Sequence, residues 1–506
     1  MFHRLETLRG WRALAAAFGL GLIAALAFPP VYLVPILLLS IPGLLVLAGA
    51  ASGWRRAGII GLFWGWGHFI GGLYWLTHAI LTEAERFWWL VPIAVPGLSL
   101  PLGLFIAVPV ALARLVPGGL PRVLVFSGCW VASELIRGVI FTGFPWNLLG
   151  SVWAFDPMAI QGAAWIGVHG LSLVTVFAAA APLLGWRAGL GSAAVLATFG
   201  VFGWVRMSGP VPTPRDVTLL LVQANIGQDM KWRADARPTI LRRYLEMTRQ
   251  AVEDATLDLP PGHRLVVVWP EAAVPYLIAD DEEVRRLVAD ALGPDVILLA
   301  GTVRAEFGPD RQLQRVFNSL IALDSSGTVQ ATYDKAHLVP FGEYMPLQGL
   351  IPIRVVQGGM DFTPGPGPRA LTVPGLPGFG ALVCYEVIFP SQVSPSPRPE
   401  WLVNVTNDAW YGFSAGPFQH LATARFRAIE EGLPLVRAAQ TGVSTVFDAF
   451  GRSEGRIPLG ETGVLRVQLP GFLPPTPIAR LGLWIPGVLT VATILFGWGC
   501  GRRRKQ

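Results

Sequence analysis

Three polar residues in the second half of this 506-residue chain are of types that can act together in covalent catalysis. Glu271 ends the run VVVWPE, Lys335 lies in YDKAHLVPFGE, and Cys384 lies in LVCYE. A thiol is a strong nucleophile only as its thiolate, and a nearby carboxylate can take its proton. A lysine ammonium favours the thiolate, which predicts a low thiol pKa, and it also stabilises an oxyanion. These residue types therefore suit acyl transfer through a thioester.

Each of the three residues also has a structural interpretation when it is taken alone. A glutamate at the end of a strand is usually solvated, and a lysine usually extends along the surface to reach water. A single cysteine is usually a small packing residue. The three residues lie far apart in sequence, so only the fold can bring them together.

The segment from Arg215 to about Leu469 must form the domain that positions these residues. Short β-branched runs such as 217–223 and 265–269 alternate with polar helical stretches such as 238–255. This alternation is typical of an α/β domain. The run LVVVW at 265–269 is apolar without alternation, which predicts a sheet covered on both faces.

The rest of the chain is too apolar for an ordinary soluble protein, with 52% hydrophobic and 14% charged residues overall. A hydrocarbon core of about 30 Å needs roughly 20 apolar residues in a helix. We predict a polytopic α-helical membrane protein with about eight transmembrane helices, at 13–28, 30–50, 58–80, 88–113, 123–141, 161–184, 190–206 and 480–499. The first run could instead be a cleaved signal peptide, but the second apolar run directly behind it favours a helical hairpin.

The arginines between these runs predict the orientation in the membrane. Arg9, Arg55, Arg122, Arg187 and the basic tail at 502–505 all fall on one side if every run spans. Basic loops mark the cytoplasmic side. We therefore expect residues 1–207 to form a seven-helix membrane domain, 208–479 a periplasmic domain, and 480–506 a last helix with a cytoplasmic tail. Both termini would be cytoplasmic.

Composition also excludes some partners and cofactors. The net charge of +6 does not indicate nucleic-acid binding, because the basic residues are scattered or lie beside apolar runs. The other two cysteines, Cys129 and Cys500, lie inside apolar runs. Three cysteines so far apart indicate neither a disulfide framework nor a zinc site. Nothing in the sequence indicates a metal or an organic cofactor.

Taken in order, the motifs Trp-Pro-Glu, Tyr-x-Lys-x-His-Leu-Val-Pro-Phe-Gly-Glu and Cys-Tyr-Glu resemble the carbon-nitrogen hydrolase (nitrilase) superfamily. The resemblance implies a Glu-Lys-Cys triad in an α-β-β-α sandwich domain. With apolar runs in front and one behind, the whole chain is similar to the apolipoprotein N-acyltransferase family within that superfamily. The stretch 130–147 resembles the membrane-embedded signature of this family, and NVTNDAW at 404–410 resembles its segment after the nucleophile.

This resemblance implies a bacterial inner-membrane acyltransferase. It would move a fatty acyl chain from a phospholipid to the N-terminal amine of a diacylglyceryl-cysteine apolipoprotein in two steps. Cys384 would carry the thioester, Glu271 would be the general base, and Lys335 would hold the tetrahedral intermediate. Glu343 matches a further acidic position that assists the triad, an interpretation compatible with simple pairing to Lys335. The expected pocket residues are Trp232, Tyr385, Glu386 and Asn407, whereas His337 is expected to be structural.

Two other functions stay open at this point. A membrane-anchored nitrilase-type amidase that hydrolyses a small amide would use the same triad without a site facing lipid. A transporter or scaffold with an outer domain would need no ordered triad. The apolar, glycine-containing segment 344–365 fits either a mobile lid over the site or a domain-packing loop. Glu134 and Arg137 lie three apart on one helix, and we expect them to hold the outer loop.

Overall fold

The computed structural model describes residues 2–82, 84–231, 233–346 and 360–503. Residues 1–209, 414–426 and 476–506 form one compact unit, and residues 210–413 and 427–475 form the second. Three features of the sequence prediction lie wholly or partly outside the described residues: Trp232, the central part 347–359 of the predicted lid, and Arg504 and Lys505 of the basic tail.

The described part of the chain contains sixteen α-helices. Their bounds are α1 Phe2–Glu6, α2 Gly10–Ala24, α3 Leu37–Gly49, α4 Trp54–Leu73, α5 Leu76–Leu81, α6 Ala84–Phe87, α7 Val91–Ala113, α8 Leu120–Arg137, α9 Ala163–Ala180, α10 Trp186–Met207, α11 Gln228–Lys231, α12 Arg237–Thr256, α13 Glu282–Leu292, α14 Gly416–Glu431, α15 Pro477–Leu481 and α16 Trp484–Arg503.

Twelve strands are present in the same described residues. Their bounds are β1 Val217–Gln223, β2 Arg264–Trp269, β3 Val296–Phe307, β4 Leu313–Leu323, β5 Val329–Asp334, β6 Ala370–Leu371, β7 Phe379–Val383, β8 Trp401–Thr406, β9 Leu435–Ala439, β10 Ser444–Phe447, β11 Ser453–Ile457 and β12 Gly463–Gln468.

The first unit is a bundle of apolar helices, with a helix at each of the eight predicted runs. In the described residues, five helical stretches are long and apolar enough to cross a membrane: Gly10–Ala27, Trp88–Ala113, Ala163–Leu184, Trp186–Met207 and Trp484–Arg503. The number of eight transmembrane helices stays a prediction. The run 30–50 was predicted as a span of 21 residues. The helix found there, α3, has only 13 residues, since it begins at Leu37. Helix α8 carries the charged residues Arg122, Glu134 and Arg137.

The buried charges of α8 hold the segment that follows this helix. Glu134 Oε1 accepts hydrogen bonds from the Trp130 indole at 3.0 Å and from the main-chain N–H of Leu149 at 2.8 Å. Arg137 donates to the carbonyl oxygens of Phe144 at 2.6 Å and Trp146 at 2.7 Å. Both side chains are about 4% exposed. These bonds agree with the expected structural role, since charges at membrane depth need polar partners.

The second unit is built on two six-stranded sheets. The strand order is β12-β1-β2-β3-β4-β5 in the first sheet and β11-β10-β9-β8-β7-β6 in the second. Each sheet has three parallel strands at its centre, β1-β2-β3 and β7-β8-β9, with antiparallel strands outside them. Helix α14 forms the crossover between the parallel strands β8 and β9. Parallel strands need such a connection, because a tight hairpin cannot join them.

Two apolar layers hold the sheets in place. One cluster joins residues of β1 to β5 with residues of β6 to β10, so the two sheets pack face to face. A second cluster joins the other face of the first sheet to α12 and α13. The central strands are buried on both sides, which explains why LVVVW at 265–269 shows no alternation. The carboxyl ends of parallel strands are where open α/β sheets usually bind ligands.

Candidate active site

Cys384 lies directly after β7, at the start of a short 3-10 turn, Cys384–Ile388. Its φ of 51° is in the left-handed region, which a non-glycine residue adopts only where the surrounding structure enforces it. The side chain is 7% exposed, and its Sγ accepts a hydrogen bond from Thr406 Oγ1 at 3.3 Å. The sharp turn therefore presents the thiol at a strand end within a buried site.

The protonation state of the Cys384 thiol differs from the one that the sequence led us to expect. Burial raises the pKa of Cys384 above its ordinary value, the Glu271 carboxylate raises it further, and Lys335 opposes both effects. The expected low thiol pKa was therefore wrong, because burial and a nearby negative charge outweigh the ammonium. The thiol keeps its proton at neutral pH and must give it up during attack, which makes a general base necessary.

Glu271 follows β2 and is held by donors from both sheets. Its Oε1 accepts from the side-chain amide of Asn318 at 2.7 Å, and its Oε2 accepts from the main-chain N–H of Asn407 at 2.7 Å. A Cβ at Gly301 on β3 would lie 2.5 Å from the Glu271 Cα, so only glycine allows this close approach. The carboxylate is 7% exposed. Because both oxygens are held, its orientation is fixed before a substrate arrives.

Lys335 follows β5 and pairs with Glu343. The ammonium lies 2.9 Å from Glu343 Oε1 and 2.8 Å from Oε2, and the lysine side chain is 1% exposed. Burial opposes the charge, but Glu343 and then Glu271 outweigh it, so the pKa of Lys335 is raised and the ammonium persists. Glu343 also accepts from Asn318 at 2.7 Å and from the Val339 N–H at 2.7 Å. Glu343 thus keeps Lys335 charged and in place.

Glu386 joins the Lys335 segment to the Cys384 turn. Its Oε1 accepts from the Tyr333 hydroxyl at 2.7 Å and from the main-chain N–H groups of Ala336 and His337 at 2.8 and 3.1 Å. Its Oε2 accepts from the Val383 N–H at 2.7 Å. Burial raises the pKa of Glu386 despite these donors. The carboxyl group predicted to line a pocket is therefore engaged by the protein on both oxygens, two residues beyond the thiol.

The wall behind Cys384 is a polar network on β8 and β9. Asp408 and Arg437 form an ion pair of 2.7 Å with both side chains fully buried. Thr406 donates to Asp408 Oδ1 at 3.1 Å as well as to the thiol. Asn404 Nδ2 donates to the Cys384 carbonyl oxygen at 3.4 Å, and Arg437 donates to Asn404 Oδ1. This network fixes the main chain that carries Cys384, the candidate nucleophile.

The remaining predicted pocket residues have different surroundings. Asn407 lies in the site: its N–H holds Glu271, and its side chain donates to Gln228 Oε1 at 3.0 Å. Tyr385 is buried with its ring centroid 5.2 Å from that of Phe389. His337 stacks on Phe389 with centroids 3.8 Å apart, which fits a structural role.

The described ends of the predicted lid lie beside the site. Thr363 and Gly365 donate main-chain N–H groups to Val316 O and Lys335 O, at 2.7 and 2.8 Å, and Phe362 donates to Glu343 O at 2.8 Å. The segment therefore leaves and rejoins the fold next to Lys335 and Glu343. Whether it acts as a lid stays a prediction, since its centre lies outside the described residues.

Sequence reasoning assigned no role to several residues of this site. Asn318, in the middle of β4, bridges Glu271 and Glu343, but no motif surrounds it. Thr406 contacts the thiol from the next strand. Lys231 donates to the main-chain oxygen of Glu271 at 3.3 Å and is 1% exposed. The signal that could have drawn attention to Lys231 is the rarity of lysine in this chain. Among the described residues, no group of three or more His, Cys, Asp or Glu is arranged to hold a metal ion.

Two face-to-face sheets with a buried glutamate, lysine and cysteine at their strand ends define a carbon-nitrogen hydrolase domain. The carbon-nitrogen hydrolase family model matches residues 221–471, and the model of the apolipoprotein N-acyltransferase N-terminal domain matches residues 20–181. The chain is 37% identical to an apolipoprotein N-acyltransferase of Rhodopseudomonas palustris over 512 residues, which cover 96% of this chain and 94% of that relative. The chain therefore belongs to the apolipoprotein N-acyltransferase family.

A second relative agrees with this assignment. An apolipoprotein N-acyltransferase of Brucella melitensis is 38% identical over 517 residues, covering 97% of this chain and 96% of the relative. Among solved structures, the chain is similar to Saccharomyces cerevisiae Nit3, a member of branch 10 of the nitrilase superfamily. That similarity has 16% identity and a TM-score of 0.37, and it covers 52% of this chain and 92% of Nit3. The resemblance inferred from the sequence motifs is confirmed at the level of the family.

Proposed function

We propose that this protein transfers a fatty acyl chain from a membrane phospholipid to the N-terminal amine of a diacylglyceryl-cysteine apolipoprotein. The observation that carries the proposal is the convergence of Glu271, the Lys335–Glu343 pair and Cys384 in one buried site. Membership of the apolipoprotein N-acyltransferase family supports the choice of substrates. The apolar helices support a reaction in which donor and acceptor both keep their acyl chains in the bilayer.

In the first step, Cys384 attacks the ester carbonyl carbon of the phospholipid. Its proton passes to Glu271, a new S–C bond forms, and the carbonyl oxygen becomes an oxyanion stabilised by the Lys335 ammonium. Collapse of this intermediate breaks the ester C–O bond. Glu271 returns the proton to the leaving oxygen, which releases a lysophospholipid and leaves the acyl group on Cys384 as a thioester.

In the second step, the amine of the acceptor attacks the thioester carbon. Glu271 takes one proton from the amine as the C–N bond forms, and Lys335 again stabilises the oxyanion. The C–S bond then breaks, and the proton held by Glu271 returns to the sulfur. The product is an amide, and the enzyme regains its protonated thiol. Exclusion of water from the buried site favours transfer to the amine over hydrolysis of the thioester.

The protein is a membrane protein, and we infer that the second unit faces the periplasm with both termini in the cytoplasm. The asymmetric arginines Arg9, Arg55, Arg122 and Arg187 support this orientation. In this arrangement, seven apolar helices of residues 1–207 precede the catalytic domain of 208–479, and the helix of 480–506 follows it. The site would then meet its lipid substrates from the periplasmic side.

The proposed function is tested with purified protein, labelled phospholipid and a diacylglyceryl-cysteine peptide. We expect an acyl adduct on Cys384 by intact mass before the peptide is added, and the labelled acyl chain on the peptide amine afterwards. Cys384→Ala should form no adduct, whereas Cys129→Ala, which changes a cysteine in helix α8, should form it normally. An acyl thioester on the Cys384→Ala variant would refute the assignment. Hydrolysis of a small amide without acyl transfer would favour an amidase.

A further inference from the structure

Lysine is almost absent from this protein. Of 39 basic residues only three are lysines, namely Lys231, Lys335 and Lys505, so arginine supplies nearly all of the positive charge. Two of these three lysines lie in the active site. Lysine differs from arginine in that its pKa shifts readily on burial, so its use at these two buried positions points to a role for its charge.

Lys231 ends the short helix α11, and its side chain is enclosed by the active site. The Nζ atom donates to the main-chain oxygen of Glu271 at 3.3 Å, and the residue is 1% exposed. The Glu271 carboxylate and the Cys384 thiol are among the ionisable groups that act on its ammonium. The second lysine therefore faces the base and the nucleophile, whereas Lys335 is bound to Glu343.

Both lysines place positive charge beside the buried Glu271 carboxylate. Glu343 is the ion-pair partner of Lys335, while Glu271 acts on both ammonium groups. Asp408 is already paired with Arg437. A buried charge without a partner costs several kcal/mol. When the proton moves from Cys384 to Glu271, the negative charge moves to sulfur and still faces the same lysine.

We propose that Lys231 is a second cation of the active site, a positioning residue that balances Glu271 in the resting state and favours the thiolate when Cys384 loses its proton. This inference rests on the proposed function only in taking Cys384 as the nucleophile. It assigns distinct tasks to the two lysines. Lys335 stabilises the oxyanion, and Lys231 compensates the charge that passes between Glu271 and Cys384.

The charge on Lys231 changes within an accessible pH range. Burial lowers the pKa of Lys231 to about 8, while Glu271 and Cys384 oppose this effect. The ammonium is therefore present at pH 7 and largely lost at pH 9.5. Its influence on the thiol should disappear over the same interval, and a purely structural lysine would not show this dependence.

The test is the rate at which iodoacetamide alkylates Cys384, measured in a Cys129→Ala/Cys500→Ala background from pH 6.5 to 9.5. At pH 7, Lys231→Met should react about tenfold more slowly than the protein with Lys231, which corresponds to about one unit in the thiol pKa. At pH 9.5 the two rates should be nearly equal. The proposal would be overturned if the ratio of the two alkylation rates, parent protein to Lys231→Met, were close to one at every pH or did not change with pH.

Lys231→Arg provides the matched control, because a guanidinium keeps its charge at pH 9.5. It should match the parent protein at pH 7 and react up to about tenfold faster at pH 9.5. If Lys231→Met does not fold, this comparison alone decides the question, and equal rates at pH 9.5 would refute the role of charge.

Alkylation needs no lipid, so this result is independent of the proposed function. Absence of an acyl adduct from labelled phospholipid would argue against the acyltransferase, whatever the alkylation rates show. A normal adduct together with pH-independent alkylation ratios would refute only the role of Lys231.

Discussion

The side-chain amide of Asn318 donates to Glu271 Oε1 at 2.7 Å and thereby fixes the proposed base from β4, two strands away from β2 in the same sheet. The same nitrogen lies 2.7 Å from Glu343 Oε1. One amide therefore separates two buried carboxylates that would otherwise repel each other. Asn318 thus holds the carboxylate of Glu271 in a fixed orientation.

Replacement of Asn318 by aspartate should disable this base. A third carboxylate between Glu271 and Glu343 would raise the pKa of at least one of them, and a protonated Glu271 cannot accept the thiol proton. We expect thioester formation at pH 7 to fall by about 10² or more. The rate against pH should also shift to higher pH.

Asn318→Ala is the control for the loss of the hydrogen bonds, because it adds no charge. It should lower the rate without the same shift of the pH profile. Coincident pH profiles for the aspartate and alanine variants would contradict this account.

Variants of the Lys335–Glu343 pair can separate an effect on acyl transfer from an effect on protein stability. Lys335→Met should abolish acyl transfer, by about 10² or more, because the oxyanion loses its cation. It should also destabilise the protein, since the Glu343 carboxylate is then buried without a partner. The double variant Lys335→Met/Glu343→Gln should recover the unfolding temperature but not the activity. Recovery of acyl transfer in the double variant would remove Lys335 from the mechanism.

Glu431 predicts a pH dependence of stability. This buried carboxyl group lies at the end of α14, and Arg398 donates to its main-chain oxygen at 2.6 Å. Burial and then Glu430 raise the pKa of Glu431 from 4.5 to about 7, against the opposing charges of Arg427 and Arg398. The folded state thus holds this proton more tightly than the unfolded state. The contribution of Glu431 to the free energy of unfolding should therefore fall as pH rises from about 4.5 to 7 and change no further above that range.

The substitution Glu431→Gln should remove this pH-dependent loss of unfolding free energy. We expect the variant to exceed the natural protein in unfolding free energy by up to about 3 kcal/mol at pH 8, and by much less at pH 5. Thermal unfolding at both pH values measures the difference. Glu430→Gln is the comparison, because it removes the partner that lies 2.8 Å from Arg427 and should destabilise at both pH values. An equal effect of Glu431→Gln at pH 5 and pH 8 would be inconsistent with the raised pKa.

The proposed orientation can be tested with reporters fused at defined positions. A reporter active only in the periplasm, fused after residue 215, should give a signal, and the same reporter fused after Arg187 should give none. We expect this result because the arginines that flank the apolar runs all fall on one side if every run spans, and basic loops mark the cytoplasmic side. No signal from the fusion after residue 215, or a signal from the fusion after Arg187, would overturn the topology.

Sequence reasoning placed the candidate catalytic residues more readily than the residues that surround them. Glu271 and Cys384 could be found because each follows an apolar strand within a sharp motif. Asn318 could not, because its role depends on the pairing of β4 with β3 and β5, which no local pattern specifies. The Asp408–Arg437 pair likewise depends on the crossover that places β9 beside β8.

Local sequence patterns also could not predict the protonation state of Cys384 or the length of some helices. The direction of the thiol pKa shift depends on the combined effects of burial, the Glu271 carboxylate and the Lys335 ammonium. A sequence motif does not show how large each of these effects is. The apolar run 30–50 contains the turn Val34–Ile36 before α3 begins, so hydrophobicity alone overestimated the helix. Composition nevertheless predicted a polytopic membrane protein with an α/β domain, and the fold agrees.

The raised pKa of Cys384 has a consequence for the lifetime of the protein. Thiolates, rather than thiols, attack peroxides and disulfides, so a buried, protonated cysteine resists sulfenic acid formation and mixed disulfides. The proposed nucleophile, which would ionise only as its proton passes to Glu271, is thereby spared between turnovers. In the periplasmic location that we propose, this chemical dormancy would let the thiol persist without a resolving cysteine beside it.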